Sequence, residues 1–336
     1  MRLGVLDIGS NTVHLLLVDA HPGARPVPFA SHKRPLSLVQ FLDGDGNIND
    51  AGQNELIEFV LEAWEFAAKH KAADLLAFCT SAIREATNGP AVLARVKHET
   101  TVTLQELAGS EEASMTFFAV RRWYGWGAGP ILDLDIGGGS FEMAYGQDEL
   151  PELAMSVPLG ASRLTRDWLR EDPPTARSVK ELRGYIRATL SPVVRNFESL
   201  GRANLVAGTS KTFRSLARIA GAAPSAAGPY VKRELFATDL GLWAQRISAM
   251  TIEDRLHLPG VSEARAPQLL AGALVAEAAL ELFRFPSMEI CPWALREGLI
   301  LRRLDQLVFD GPLEPAPHVG RLADTQSAAR RAAEVS

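Results

Sequence analysis

The chain has 336 residues, 47% of them hydrophobic and 22% charged, with a formal net charge of −5. That length suits about two domains with substantial cores, and the acidic balance excludes a general nucleic-acid binder, so any polyanion must be held by locally focused cations. Two cysteines, Cys79 and Cys291, exclude a disulfide scaffold or a cysteine metal cluster.

Residues Leu3 to Ile8 form an apolar run leading into Asp7-Ile8-Gly9-Ser10-Asn11-Thr12, and Val13 to Val18 reads as a return strand. Nothing basic or cleavable precedes that strand, which predicts no signal peptide and a cytoplasmic protein. Phe29 to Leu42 reads as a third strand carrying Lys33 and Arg34. Asp43-Gly44-Asp45-Gly46-Asn47 lacks the later ligands of a calcium loop and is read as a turn. A helix follows from about Ala51 to Lys69, capped by Asn49 or Asp50. Leu75 to Cys79 is a short buried strand ending in Thr80-Ser81, two hydroxyls at a strand-to-helix switch and hence a ready anion site. Arg84, one turn later, reaches the same anion or pairs at the surface with Glu85 or Glu112.

Val102 to Leu104 is a short strand, and Glu111-Glu112 open a helix running to about Trp123. Adjacent carboxylates there complement the helix dipole unless chemistry requires them. The Gly- and aromatic-rich segment Trp123 to Pro130 is the one clear composition break, placing the domain boundaries at 1–125, 126–311 and a disordered tail, 312–336.

The strand Ile131 to Ile136 then repeats the N-terminal design as Asp135-Ile136-Gly137-Gly138-Gly139-Ser140-Phe141-Glu142. Successive glycines bare their N–H groups as an anion nest. Asp135 and Glu142 flank the nest with oxygen ligands for a divalent cation. A third turn, Gly208-Thr209-Ser210-Lys211-Thr212, follows a short strand, with Arg214 and Arg218 one turn apart after it. Helices are expected over 179–200, 233–250 and 252–256. The long apolar helix from Ala266 to Phe283 is interrupted by Glu277 and Glu281, so it is buried and amphipathic. A strand over 288–291 and a helix over 293–307 follow. No apolar run reaches the roughly 18 residues of a bilayer span.

Two Asp-Ile-Gly turns more than a hundred residues apart resemble the actin-like ATPase superfamily. That resemblance implies an α/β chain of two actin-like, ribonuclease H-like domains facing an interdomain cleft. Five blocks in order narrow it to the exopolyphosphatase and guanosine pentaphosphate phosphohydrolase family, in its short form. They are the two Asp-Ile-Gly blocks, Thr80 to Gly89, Gly109-Ser110-Glu111-Glu112-Ala113, and Leu295-Arg296-Glu297-Gly298. The resemblance implies that Glu112, or its neighbour Glu111, is the general base on the attacking water. It implies that Asp135 and Glu142 hold Mg²⁺ or Mn²⁺ and that Arg84 neutralises the terminal phosphoryl. Asp7, Gly9, Ser10, Asn11, Ser81, Gly138, Gly139, Ser140, Gly208 and Thr209 would cradle phosphates. Lys33, Arg34, Arg163, Arg166, Lys211 and Arg214 are candidates for holding the rest of the substrate. The implied substrate is inorganic polyphosphate, in short chains, with guanosine pentaphosphate or another nucleotide as the alternative. A non-catalytic sensor on the same fold is a third reading. No membrane or nucleic-acid partner is expected, and the resemblance suggests a homodimer.

Overall fold

A computed structural model describes residues 1–21 and 23–309; the tail expected at 312–336 lies outside them. The described chain divides into two compact units, 1–108 with 299 onward, and 109–298.

In the first unit β1 (Arg2–Ile8), β2 (Val13–Asp19) and β3 (Val27–Arg34) form an antiparallel meander. α1 (Asp50–Lys69) starts at Asn49, whose side chain accepts from the Gly52 amide. β4 (Asp74–Cys79) lies parallel to β1, and α2 (Ser81–Arg84), α3 (Gly89–Thr100) and β5 (Gln105–Glu106) follow. The sheet order is β3-β2-β1-β4-β5. Its core joins Leu15 and Leu17 of β2 to Phe59 and Val60 of α1. The third strand ends at Arg34 rather than near Leu42, because the chain turns into a short 3-10 segment at Leu38–Phe41. Asp43 is the turn residue expected, its Oδ1 accepting from the amides of Asp45 and Asn47.

The second unit opens with α4 (Gly109–Tyr124) and continues through β6 (Ile131–Ile136), β7 (Phe141–Gly146), β8 (Leu153–Val157), α5 (Ala161–Trp168), α6 (Ala176–Glu198) and β9 (Leu205–Gly208). Then come α7 (Lys211–Ile219), β10 (Glu234–Phe236), α8 (Ala237–Ser248), α9 (Ile252–Leu256), α10 (Leu269–Leu282) and β11 (Ser287–Ile290). α11 (Leu295–Phe309) begins in this unit and ends in the first. The sheet runs β10-β11-β9-β6-β7-β8. Read outward from β6, it repeats the first sheet: an antiparallel meander on one side and two parallel strands on the other, plus one antiparallel edge strand. Both units are actin-like α/β domains.

Three further readings change. The short strand expected over Val102 to Leu104 forms instead at Gln105–Glu106, which are the residues in register with Phe78 and Cys79 of β4, while Val102 and Leu104 pack into the core ahead of it. The division by packing falls before α4, ahead of the glycine-rich break, because Ala113, Phe117 and Val120 of α4 pack on the β6–β7–β9 face of the second sheet. The helix expected from Arg233 starts only at Ala237, since Glu234–Phe236 pair with Ser287–Glu289 as an edge strand. α10 is buried nearly all round, and its two interrupting glutamates pair with Arg183 and Arg187 of α6 at matching one-turn spacing.

Arg303 and Asp74 form a buried ion pair in the first unit at 2.7 Å, each side chain no more than 5% exposed. Removing one partner strands the other charge out of water. Asp74→Ala is therefore expected to lose about 3–5 kcal/mol in urea denaturation, while a joint exchange of both for apolar residues loses much less.

Candidate active site

The turn after β6 is built so that its amides face one way. The carbonyl of Gly137 accepts from the Ala161 amide at 3.0 Å, that of Gly138 from Ser162 and Arg163 at 2.9 and 3.0 Å, and that of Gly139 from Gly160 at 3.3 Å and Arg163 Nε at 2.9 Å. In a trans peptide the N–H points opposite to its C=O. Three carbonyls turned toward the start of α5 therefore turn the amides of Gly138, Gly139 and Ser140 away from it. These are the successive donors of an anion nest. Gly160 permits this approach: a Cβ there would overlap the backbone of Gly138, Gly139 and Ser140.

Around the nest lie carboxylates. Asp135 and Glu142 are directly paired across β6 and β7, so their side chains share a sheet face. Ala144, two residues on from Glu142, packs with Ala113 and Phe117 of α4, which identifies the shared face as the one α4 covers. Glu112, in the first turn of α4, is buried, whereas Glu111 is exposed. Ser156 on β8 donates to Glu142 Oε1 at 2.8 Å. Burial, and then the negative charge of Glu112, hold the Glu142 carboxyl well above the usual glutamate range. Thr209 Oγ1 donates to Asp135 Oδ2 at 2.6 Å. Asp133, below Asp135 on the same face, is buried, and its Oδ1 has no hydrogen-bond partner among the described residues. Burial and then Asp135 push its carboxyl up.

Sequence reasoning missed Arg265. It lies in the turn before α10, where burial lowers its guanidinium while the charge of Asp135 counteracts.

In the first unit the Gly9 amide donates to the Thr12 carbonyl at 3.1 Å, closing the β1–β2 turn. The buried hydroxyls of Ser10 and Ser81 meet at 2.9 Å, joining the two small-residue turns. Asp7, next to last in β1, lies opposite His14, and Asn11 is half-buried in the turn. Arg84 Nη1 donates to the Leu107 carbonyl at 2.5 Å, which anchors the guanidinium to the backbone.

Several expected substrate contacts have other work. Arg34 is bound by Glu55, Glu58 and Glu62 of α1, so it ties β3 to that helix. Thr209 is fully buried, and its hydroxyl is committed to Asp135 rather than to a phosphate. Gly208 is packed against Met288 and Phe213. Arg214 Nη2 donates to the carbonyls of Thr209 and Pro292 at 3.1 and 3.3 Å. The third turn thus supports Asp135. Arg166 pairs with Asp167, and Lys33 and Lys211 are exposed.

Nest, carboxylate cluster and duplicated sheet together define an α/β protein of actin-like fold with a candidate phosphate site. The chain belongs to the Ppx/GppA phosphatase family, whose profile matches residues 17–307. It is 56% identical over 306 residues to Exopolyphosphatase 1 of Mycobacterium tuberculosis, covering 91% of this chain and 89% of that one. Exopolyphosphatase 1 of Mycobacterium leprae is 53% identical over 305 residues, covering 91% and 90%. The crystal structure of an exopolyphosphatase from Cytophaga hutchinsonii matches the fold with a TM-score of 0.81 at 24% identity, over 91% of this chain and 98% of that one.

Proposed function

We propose that this chain is an exopolyphosphatase that hydrolyses the terminal phosphoanhydride of inorganic polyphosphate. The observation that carries the reading is the carboxylate cluster of buried Glu112 and Glu142 with half-buried Asp135, beside a three-amide nest. The 56% identity to a named exopolyphosphatase supports it.

The residues divide the work as phosphoryl transfer requires. Its transition state spreads charge over the equatorial oxygens, so positioning and electrostatics supply most of the acceleration. Amides of Gly138, Gly139 and Ser140 bind phosphate oxygens. Glu112 takes the proton of the attacking water; its burial and its coupling to Glu142 favour it over exposed Glu111. In the first unit, Arg84 and the Ser10–Ser81 hydroxyl pair are assigned to phosphoryl oxygens. Arg265 adds positive charge beside Asp135.

Among the described residues no group of three or more His, Cys, Asp or Glu side chains is arranged to hold a metal ion. Asp135 and Glu142 suit instead a two-carboxylate site for Mg²⁺ or Mn²⁺, with water and phosphate as the remaining ligands. Excess buried negative charge is the feature that fits a cation there. Held by Asp135 and Glu142, such an ion would supply Lewis-acid stabilisation of charge on phosphate oxygen. Calorimetry is expected to detect Mg²⁺ binding that Asp135→Asn weakens.

The deciding experiment is orthophosphate release from a ladder of polyphosphate lengths and from guanosine pentaphosphate, with Mg²⁺ and with chelator. Greater turnover of the short polyphosphates, lost in chelator, is expected. Equal or greater turnover of the nucleotide would replace the substrate assignment.

Glu142 also sets a pH dependence. Its folded carboxyl binds a proton more tightly than in the unfolded chain, so the folded state holds more protons above the ordinary value of about 4.3. Stability falls as pH rises from there through the elevated folded value. Glu142→Gln removes that loss, and without metal its Tm should exceed wild type by more at pH 8 than at pH 5.

A further inference from the structure

The second unit holds a cavity far along the strands from the nest. It measures about 590 Å³ and is walled by Phe197 at the end of α6, Phe283 and Phe285 after α10, and the Leu132–Tyr145 pair of β6 and β7. A second cavity of about 450 Å³ shares Val194, Glu198, Leu282 and Arg284 with it, so the two form one depression. The volume lies within the usual range for small-molecule sites, which combine apolar walls with a few polar groups.

Its floor and rim differ in chemistry. Phe197 and Phe283 meet edge to face at 5.5 Å, the Tyr145 hydroxyl is used up on the Leu200 carbonyl at 2.9 Å, and Phe283 and Phe285 are the half-buried rings that leave apolar surface open. At the rim stand Arg195, Arg202 and Arg284, all exposed. Arg202 sits 5.6 Å from the Phe285 ring centroid. Among the described residues none of the three is in an ion pair with a carboxylate. The other arginines of α6 do have partners: Arg177 pairs with Glu181, and Arg183 and Arg187 face Glu277 and Glu281. Arg284 is held at a φ of 59°, a backbone region that non-glycine residues seldom occupy. One acidic side chain, Glu198, lines the main cavity against two arginines.

We propose that this depression is a second ligand site, separate from the phosphate turns, and that it takes a nucleoside monophosphate. The base would lie against the phenylalanine rings. The phosphate would be met by the guanidinium forks, whose planar donor geometry suits it.

Isothermal calorimetry of the full chain with AMP tests this, with adenosine and inorganic phosphate as single-part probes. AMP is expected to bind one site per chain, more tightly than either part. Arg202→Ala and Arg284→Asn should each weaken it about tenfold, as for loss of a charge-assisted hydrogen bond. Asparagine tolerates the left-handed backbone, and both positions are exposed, so folding is retained. Phosphate release from polyphosphate without AMP should stay at the wild-type rate in both variants. AMP should also still bind the Glu112→Gln variant saturated with tripolyphosphate. No measurable AMP binding, undiminished binding when Arg202→Ala and Arg284→Asn are combined, or displacement by tripolyphosphate would each overturn the site. The calorimetric results with AMP alone do not depend on the polyphosphatase assignment.

Discussion

Glu112→Gln is expected to lower kcat for phosphate release by about 10²–10⁴-fold, the usual contribution of a positioned general base. KM should change little, because the phosphate oxygens are assigned to amides, hydroxyls and arginine rather than to this carboxylate. The isosteric amide keeps the packing at the start of α4. It also removes the negative charge that, after burial, most elevates the Glu142 carboxyl. Thermal stability should therefore hold or rise even as activity collapses. Single-turnover kinetics and a melting curve on the same preparation check both halves. A variant that hydrolyses normally would remove Glu112 from the chemistry and overturn its assignment as the general base.

Gly160→Ala is expected to damage fold and activity together. The new methyl would meet backbone atoms of Gly138, Gly139 and Ser140, none of which belongs to a side chain that can swing aside. Either α5 withdraws or the nest shifts. Overpacking of this kind costs about 1–3 kcal/mol. Displacing the three amides should also reduce phosphate release by at least about tenfold, in line with the loss of preorganised donors. Urea denaturation and steady-state rates measure the two effects. Gly184→Ala, inside α6 with nothing within 4 Å of the added carbon, is the control: it should leave phosphate release unchanged and raise stability by about 0.5–1 kcal/mol through helix propensity.

The strands bearing the two Asp-Ile-Gly turns were legible because local signals agreed: apolar runs, then residues that only a tight turn tolerates. The duplication of the sheets follows from that repeat. What could not be read locally were partners distant in sequence. Arg34 reads as a free cation on a strand, yet three glutamates of the next helix claim it. Thr209 has the residue type of a phosphate ligand, but its partner is Asp135, 74 positions away. The apolar face of α4 announces burial without saying which sheet it covers, which is why the packing division fell ahead of the composition break. Glu234–Phe236 is too short for its period to outweigh the helical pattern that follows.

The nest also changes how the positive end of α5 is used. That helix spends its leading amides on the carbonyls of Gly137, Gly138 and Gly139, so it does not meet an anion directly. A peptide group whose oxygen accepts a hydrogen bond becomes a stronger donor through its nitrogen. The helix field is thus relayed through three peptide planes and emerges on their far side as sharpened N–H donors. The glycine turn acts as a polarisable conductor between helix and ligand, and its wiring is complete once the chain has folded.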